Sequence, residues 1–211
     1  MPLFSMKDRY RERQMDYSKT NVAVLALQGA FAEHERAFED IGAETFEIRQ
    51  LRDLERPFDA LVLPGGESTV QGKLLRDLGL FEPLRAQIAA GLPTFGTCAG
   101  LILLAKEILN DPLVHFGLLD VVVERNAYGR QLGSFHAEAP FAGGAPIPLS
   151  FFRAPAIRAQ GPDVETLATV DGIPVAVRQG NLLATAFHPE LDPDPTVHRL
   201  FLGMVHQVSG R

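Results

Sequence analysis

Short, continuously apolar segments alternate with stretches of helical periodicity over the first half of this sequence, and most of these apolar segments end at glycine. A strand with apolar side chains at every position is typically buried on both faces, as in a parallel sheet covered by helices. We therefore predict an α/β fold of three layers, in which helices cover both faces of a mostly parallel central sheet. The strands predicted in this half are residues 22–27, 45–48, 60–63 and 93–95, and the helices are residues 31–41, 69–78, 81–90 and 101–108.

The second half of the chain has more strand-like segments and ends with one helix. Because no internal repeat is present and 211 residues can bury a sizeable core, we predict one folded domain at residues 21–211. The polar and charged residues 1–20 are expected to form a disordered extension in front of it. The remaining predictions are strands at residues 121–123, 134–137, 151–152, 174–178 and 182–187 and a helix at residues 196–208.

Charge and cysteine content argue against several classes of protein. The 20 basic residues are outnumbered by 26 acidic ones, and this net charge of −6 disfavours binding to nucleic acid or to an anionic membrane surface. No run of about 18 apolar residues is available to span a bilayer, and the N-terminal segment lacks the apolar centre of a secretory signal. A single cysteine cannot form an internal disulfide, so a cytoplasmic location is expected.

The strongest chemical motif is Gly96-Thr97-Cys98-Ala99-Gly100, which lies between a predicted strand and a predicted helix. This is the position and spacing of a nucleophile elbow, with cysteine in place of the usual serine. A sharp strand-to-helix turn needs glycine on both sides of the nucleophile, and the N–H groups that begin the helix favour a thiolate. The backbone N–H of Ala99 is then expected to face a developing oxyanion. A buried structural cysteine is the alternative interpretation.

A base for this cysteine is predicted in His188-Pro189-Glu190, which follows the strand predicted at residues 182–187. Since residues i and i+2 of an extended segment point to the same side, Glu190 can orient the His188 ring and stabilise its cationic form. A turn with an incidental histidine is the alternative. The other five histidines have no spacing to acidic residues or to the cysteine that suits a metal ion. No metal or cofactor is therefore predicted.

A second distinctive loop, Pro64-Gly65-Gly66-Glu67-Ser68-Thr69, also follows an apolar strand. Consecutive glycines allow the backbone to approach a ligand closely or to turn its N–H groups towards an anion, although a plain tight turn is the alternative. The loop lacks the Gly-Lys-Ser/Thr ending of a Walker phosphate loop, so nucleotide binding of that kind is rejected. Arg125 and Arg153 are candidate carboxylate ligands because each adjoins an apolar strand, with a surface salt bridge as the simpler interpretation.

Together these segments resemble the class I, triad-type glutamine amidotransferases, which have a flavodoxin-like α/β fold, and among them the glutaminase subunits of pyridoxal 5′-phosphate synthases. The cysteine elbow is typical of the class, whereas the Glu-Arg-Asn and Pro-Gly-Gly-Glu-Ser-Thr strings are typical of the subfamily. The resemblance begins at about Asn21 and is carried by residues 27–30 with 33–34, 63–69, 95–101 with 104–107, 121–126 with 128–131, 153–155 and 187–191.

The resemblance implies a role for each member of a triad. Cys98 would attack the side-chain amide of L-glutamine and form a γ-glutamyl thioester. His188 would act first as the base and then as the acid, and Glu190 would orient it. Backbone N–H groups of Ala99 and of the Gly65-Gly66 segment would stabilise the oxyanion.

The resemblance also implies a substrate pocket and a partner. The expected contacts of glutamine are Gly65, Gly66, Glu67, Arg125, Phe152 and Arg153. The Gln28-Gly29 loop is expected to face the synthase partner and to couple its docking to activation of the glutaminase. That partner would receive the ammonia and build pyridoxal 5′-phosphate from two sugar phosphates.

Three other functions remain open at this point. An amidotransferase that supplies a purine, pyrimidine, histidine or anthranilate pathway would share the cysteine elbow but is not expected to have both subfamily strings. A free-standing cysteine hydrolase or stress-response protein of similar fold commonly has histidine directly after the cysteine, where this chain has Ala99. A catalytically inactive binding subunit is disfavoured by the presence of Cys98, His188 and Glu190.

Overall fold

A computed structural model describes residues 16–127 and 133–210 of the chain. The described strands are β1 (Asn21–Leu25), β2 (Glu44–Ile48), β3 (Ala60–Leu63), β4 (Thr94–Thr97), β5 (Ala105–Ile108), β6 (Leu119–Glu124), β7 (Ser134–Pro140), β8 (Pro146–Phe152), β9 (Ala156–Gln160), β10 (Glu165–Val170), β11 (Ile173–Gln179) and β12 (Leu182–Thr185). The described helices are α1 (Phe31–Glu39), α2 (Ser68–Asp77), α3 (Phe81–Ala89), α4 (Ala99–Leu104) and α5 (Thr196–Ser209), with 3-10 helices at Leu51–Glu55 and Pro189–Leu191. Residues 128–131, which contribute to the family resemblance, lie outside the described residues.

The central sheet has seven strands in the order β10-β11-β12-β4-β3-β1-β2. The five strands from β12 to β2 are parallel to their neighbours, and β10 and β11 extend the sheet with antiparallel pairing. Every residue of β3, β4 and β12 is buried, which explains why these segments carry only apolar or small side chains and threonine. The predicted α/β class with a mostly parallel central sheet is confirmed.

The helices follow from apolar periodicity and local capping. α1 buries His34 and Phe38, four residues apart on one face, and packs against β1 and β2. α2 begins after Glu67, whose carboxylate accepts hydrogen bonds from the N–H groups of Thr69 and Val70. Four predicted helices differ from the observed ones by only one or two residues at their ends. No helix within the described part of the chain is both long and apolar enough to cross a membrane.

The helix predicted at residues 101–108 is wrong in its second half. α4 ends at Leu104, and residues 105–108 form strand β5, which pairs in parallel with β6. Ala105 and Ile108 are buried while Lys106 and Glu107 are exposed, so an apolar run that reads as one helix is divided between two elements. Strand β9, which pairs with β6, and the edge strand β10 were not predicted, because both combine polar residues with partial exposure.

The packed structure starts before the predicted boundary at residue 21. Tyr17 and Thr20 are each only 1% exposed. The ring of Tyr17 meets the His206 ring edge-on at 5.1 Å, and Thr20 Oγ1 lies 2.8 Å from His206 Nε2. At least residues 17–20 therefore belong with the fold, and residues 1–15 of the predicted extension lie outside the described residues.

Candidate active site

Three neighbouring strands bring the predicted chemical motifs to one edge of the central sheet. β4 lies between β3 and β12 and is parallel to both, so the carboxyl ends of all three strands open on the same side. β3 leads into Gly65 and Gly66, β4 leads into Cys98, and β12 leads towards His188. The topology thus places side by side three motifs that are far apart in the sequence.

Cys98 occupies a strained turn between β4 and α4. Its backbone has φ 48° and ψ −96°, a region that residues with a side chain seldom adopt outside functional sites. The turn is also crowded, because a Cβ on Gly100 would lie 2.0 Å from the Leu63 carbonyl oxygen, and one on Gly96 would lie 2.7 Å from the Gly100 backbone. Since α4 begins at Ala99, the N–H of Ala99 has no acceptor within the helix.

His188 lies between Cys98 and Glu190. Its Nδ1 is 2.7 Å from Oε1 of Glu190, and its ring lines the same cavity as the Cys98 side chain. A Cβ on Gly65 would lie 2.2 Å from Cε1 of His188, so glycine is required there to leave room for the ring. Burial lowers the pKa of His188, but the hydrogen bonds and negative charges of Cys98 and Glu190 outweigh it and raise the pKa to about 10. This direction of the pKa shift favours the imidazolium form of the ring.

The carboxylate of Glu190 has a second neighbour that the sequence analysis did not identify. Burial raises the pKa of Glu190, although its hydrogen bond with His188 opposes this. Its other oxygen, Oε2, lies 3.4 Å from Nε2 of His34, a fully buried residue of α1. This contact depends on the packing of α1 against the 3-10 helix at Pro189–Leu191. The only sequence signal was the position of Glu33-His34 among the segments that carry the family resemblance.

Cys98 and His188 open into a cavity of about 460 Å³. Six residues with a predicted role line it with them: Gln28, Gly66, Glu67, Arg125, Phe152 and Arg153. Three more lining residues, Ser68, Ile102 and Asn126, had no predicted role. The predicted residues Gly29, Gly65, Ala99 and Glu190 are outside this lining and adjoin it through the contacts described here.

The Gln28-Gly29 loop is hydrogen-bonded to the glycine-rich loop. The N–H of Glu67 donates to Gln28 Oε1 at 2.7 Å, and the N–H of Ala30 donates to the Gly65 carbonyl at 3.0 Å. Gly29 has φ 103°, and a Cβ on it would lie 1.8 Å from the Gly65 carbonyl oxygen, so the two loops approach closely only because of this glycine. A displacement of either loop would therefore be transmitted to the other.

One prediction for the glycine-rich loop needs correction. The N–H of Gly65 donates to Oγ1 of Thr97 at 2.9 Å, in the interior of the protein, so it cannot serve an oxyanion in this conformation. The carboxylate of Glu67 caps α2, and the hydrogen bonds from Val70 and Thr69 lower its pKa in spite of its partial burial. The side chain of Glu67 is thus already engaged, and so is its backbone, because its N–H donates to Gln28 and its carbonyl accepts from the N–H of Gln71.

Two arginines and an aromatic ring form the opposite wall. Arg125 donates to Thr69 Oγ1 at 3.0 Å and forms an ion pair with Asp111 at 3.1 Å. Arg153 has φ 43°, a second strained backbone position beside the cavity. The Phe152 ring lies edge-on to the His188 ring at 5.6 Å, and the Phe152 carbonyl oxygen is 4.0 Å from the sulfur of the elbow cysteine.

This arrangement defines a class of enzyme. A strained cysteine at a strand-to-helix turn, a histidine in the same cavity and a buried carboxylate behind the histidine are the groups of a cysteine-dependent acyl-transfer enzyme on an α/β sheet. Among the residues that the structure describes, no three histidine, cysteine, aspartate or glutamate side chains are grouped to hold a metal ion.

Comparison with known proteins identifies the family. The model of the SNO glutamine amidotransferase family matches residues 24–207, and the chain belongs to this family. It is 58% identical over 184 residues to "Pyridoxal 5'-phosphate synthase subunit PdxT" of Methanocorpusculum labreanum, covering 87% of this chain and 97% of that protein. It is 53% identical over 186 residues to the protein of the same name from Streptococcus pneumoniae, and the match covers 87% of this chain and 96% of that protein.

Solved structures agree with the fold. A crystal structure of a glutamine amidotransferase superposes with a TM-score of 0.83 at 46% identity, covering 87% of this chain and 98% of that one. A glutamine amidotransferase from Thermotoga maritima superposes with a TM-score of 0.58 at 17% identity, and the match covers 90% of this chain and 84% of that one. This likeness indicates a shared fold only. The chain is thus a glutamine amidotransferase.

Proposed function

We propose that this chain is the glutaminase subunit of a pyridoxal 5′-phosphate synthase, which hydrolyses L-glutamine and passes the ammonia to a synthase subunit. The observation that carries the chemistry is Cys98 in its strained turn, which shares one cavity with His188, Arg125 and Arg153. The synthase assignment is supported by the names of the two relatives given above.

With its raised pKa, His188 starts with a proton to give, so it acts first as the acid and then as the base, the reverse of the order that the family resemblance implied. The sulfur of Cys98 attacks the amide carbon of glutamine, and the tetrahedral intermediate collapses when His188 gives its proton to the departing ammonia. The products of this half are ammonia and a γ-glutamyl thioester. Neutral His188 then takes a proton from water as the water attacks the thioester, and glutamate leaves as the sulfur is regenerated. Glu190 keeps the ring oriented through Nδ1 in both halves.

The oxyanion of each tetrahedral intermediate needs two N–H donors. Ala99 supplies one at the start of α4, and Gly66 is the candidate for the other because Gly65 donates to Thr97. The peptide between Gly65 and Gly66 is held by the Ala30 N–H through the Gly65 carbonyl. A partner docked on the Gln28-Gly29 loop would act on this peptide, so docking and activation are coupled at this point.

Free glutamine is recognised by its α-carboxylate. Arg153 and Arg125 line the cavity, and guanidinium groups bind carboxylates through two parallel hydrogen bonds. A peptide or protein amide lacks this carboxylate, so the two arginines favour the free amino acid. Phe152 supplies an apolar surface beside His188 along which the glutamine side chain can lie.

The proposal is tested by measuring steady-state glutaminase kinetics of the chain alone and with a saturating synthase subunit. We expect slow hydrolysis alone and a marked rise in kcat with the partner, because the oxyanion donors are completed only on docking. Full activity without the partner would contradict the coupling. Activation by an acceptor subunit of a different amidotransferase pathway, but not by the synthase, would contradict the pathway assignment.

The nucleophile is tested separately by labelling with a glutamine-like electrophile. The chain contains one cysteine, so intact mass should show a single adduct, and Cys98→Ala should remain unlabelled and inactive while keeping its fold. Labelling of Cys98→Ala to the same extent, or glutaminase activity of that variant, would remove Cys98 from the mechanism.

A further inference from the structure

His34 lies where α1 meets the back of the candidate triad. It is fully buried, and its Nε2 is 3.4 Å from Oε2 of Glu190 and 3.0 Å from Oγ1 of Thr97. Its other nitrogen, Nδ1, is 3.2 Å from Nε2 of His198 on α5. Glu190 Oε2 is buried and has no hydrogen bond of standard geometry within the described part of the chain. His34 Nε2 therefore lies against both Thr97 Oγ1 and an otherwise unsatisfied oxygen of the Glu190 carboxylate.

The surroundings of the two histidines select one tautomer for each. Nδ1 of His198 is buried without a hydrogen-bond partner among the described residues. A proton on that nitrogen would be a buried, unsatisfied donor, so the proton belongs on Nε2 of His198, which then donates to Nδ1 of His34. The proton of His34 must then lie on Nε2, where it faces Glu190 and Thr97.

Both histidines are held neutral. Burial lowers the pKa of His34 well below its usual value, with the neighbouring rings of His198 and His188 adding to the effect. Burial alone lowers the pKa of His198 to about 3. A neutral N–H can direct the Glu190 carboxylate without forming a full ion pair with it, which leaves the negative charge available to His188.

Thr97 extends this network to the front of the site. Its Oγ1 accepts from the N–H of Gly65 at 2.9 Å and also lies 3.0 Å from His34 Nε2. Thr97 directly precedes the elbow cysteine in β4. The glycine-rich loop and the Glu190 carboxylate are thus connected through two buried residues in contact, Thr97 and His34.

We propose that His34 is a positioning residue: its Nε2–H, which lies between Thr97 Oγ1 and Oε2 of Glu190, holds the carboxylate with Oε1 on Nδ1 of His188. His34 does not touch the substrate, and it acts on the reaction through Glu190. The inference rests on the proposed glutaminase activity for its kinetic readout, but the geometry that it claims can also be measured without glutamine.

The test is a pair of substitutions at one position. His34→Gln can retain a donor near the place of Nε2, whereas His34→Asn retains a polar group near the place of Nδ1 and loses the donor to Glu190. We expect His34→Asn to lower kcat by about 10- to 100-fold with little change in the KM for glutamine. His34→Gln should keep most of the activity. A merely structural role would affect both variants alike and would appear as a lower melting temperature.

His206→Gln is the matched control. His206 is also a buried histidine of α5, but it contacts Thr20 and Tyr17 at the far end of the helix from His198. Its replacement is expected to lower stability without selective loss of kcat. Equal kcat in His34→Asn and His34→Gln, or a loss in His34→Gln that exceeds the loss in His34→Asn, would overturn the proposal.

A measurement on the unmodified protein covers the case in which neither variant folds. Nitrogen-15 labelling of the histidines reports by NMR which ring nitrogen carries the proton, and it requires no substrate. We expect the Nε2–H tautomer for both His34 and His198. An Nδ1–H tautomer or a charged ring at His34 would overturn the proposal even if glutaminase activity is present. Absence of glutaminase activity together with the expected tautomers would instead contradict the proposed function.

Discussion

The two sides of the His188 ring are formed by different kinds of structure. The front, which faces the cavity, is made of loop residues: the glycine-rich loop, the Gln28-Gly29 loop and the strained residue Arg153. The back is made of fully buried side chains, namely Glu190 with His34 and His198 behind it. A wall of loops can change shape when glutamine or a partner binds, whereas a wall of packed side chains cannot. Recognition is thus assigned to the front and orientation to the back.

The largest effect is expected from Glu190→Gln, which removes the negative charge at the back of the His188 ring. The amide can still contact His188 but cannot stabilise the imidazolium, so kcat should fall by about 100- to 10,000-fold while the KM for glutamine and the fold change little. Steady-state kinetics and thermal unfolding check this. Asp192→Asn, two residues further on at a carboxylate that accepts from Ser150, is the matched control and should remain active. A wild-type rate in Glu190→Gln would exclude Glu190 from the mechanism.

A smaller effect, on the KM for glutamine more than on kcat, is expected from Arg153→Ala, which alters the front. Loss of a charge-assisted bond to the α-carboxylate removes about 1.5–3 kcal/mol, or roughly 10- to 100-fold in affinity. The KM for glutamine should therefore rise more than kcat falls, and Arg125→Ala should change in the same direction. Arg158→Ala, at an arginine paired with Glu124 on a neighbouring strand, serves as the control. Kinetics of Arg153→Ala that match the wild type would contradict the assignment of recognition to the front.

A third effect concerns stability and the charge between the two sides. The pKa of His188 is raised from 6.5 to about 10 in the folded protein, so its stabilising contribution is complete below pH 6.5 and is lost as the pH rises towards 10. The difference in unfolding free energy between the wild type and His188→Gln should therefore shrink over this range. Denaturant unfolding at several pH values measures it. A difference that grows with pH would mean that His188 is not held as the imidazolium.

The front of the site could be predicted from the sequence because its constraints are local. Glycines directly after a strand and on both sides of Cys98 mark turns that other residues cannot form, as the blocked Cβ positions of Gly65 and Gly100 show. The parallel order of the strands then determines that these turns meet. The donation of the Gly65 N–H to Thr97 could not be predicted, because the direction of a peptide group depends on the fold around it.

The back of the site could not be predicted because its contacts join distant parts of the chain. His34 and His198 are 164 residues apart, and neither has a local motif that separates it from an ordinary buried histidine. The misassigned residues 105–108 show the same limit in the fold, since the pairing of β5 with β6 changes an apolar run from helix to strand. The contacts of Tyr17 with α5 likewise extended the fold beyond the predicted boundary.

The contact between Tyr17 and His206 also indicates that the chain could be circularly permuted. It places the first and last described segments side by side, so a short linker could join them and new ends could be opened elsewhere. The β10–β11 turn at Asp171 and Gly172 is a suitable opening, because both residues have positive φ and a Cβ on Gly172 would meet no atom within 4 Å. Such a circularly permuted chain would keep β3, β4 and β12 as neighbours. The meeting of three strand ends at Cys98 is therefore a property of packing in space, and the connectivity of the chain is only one way to achieve it.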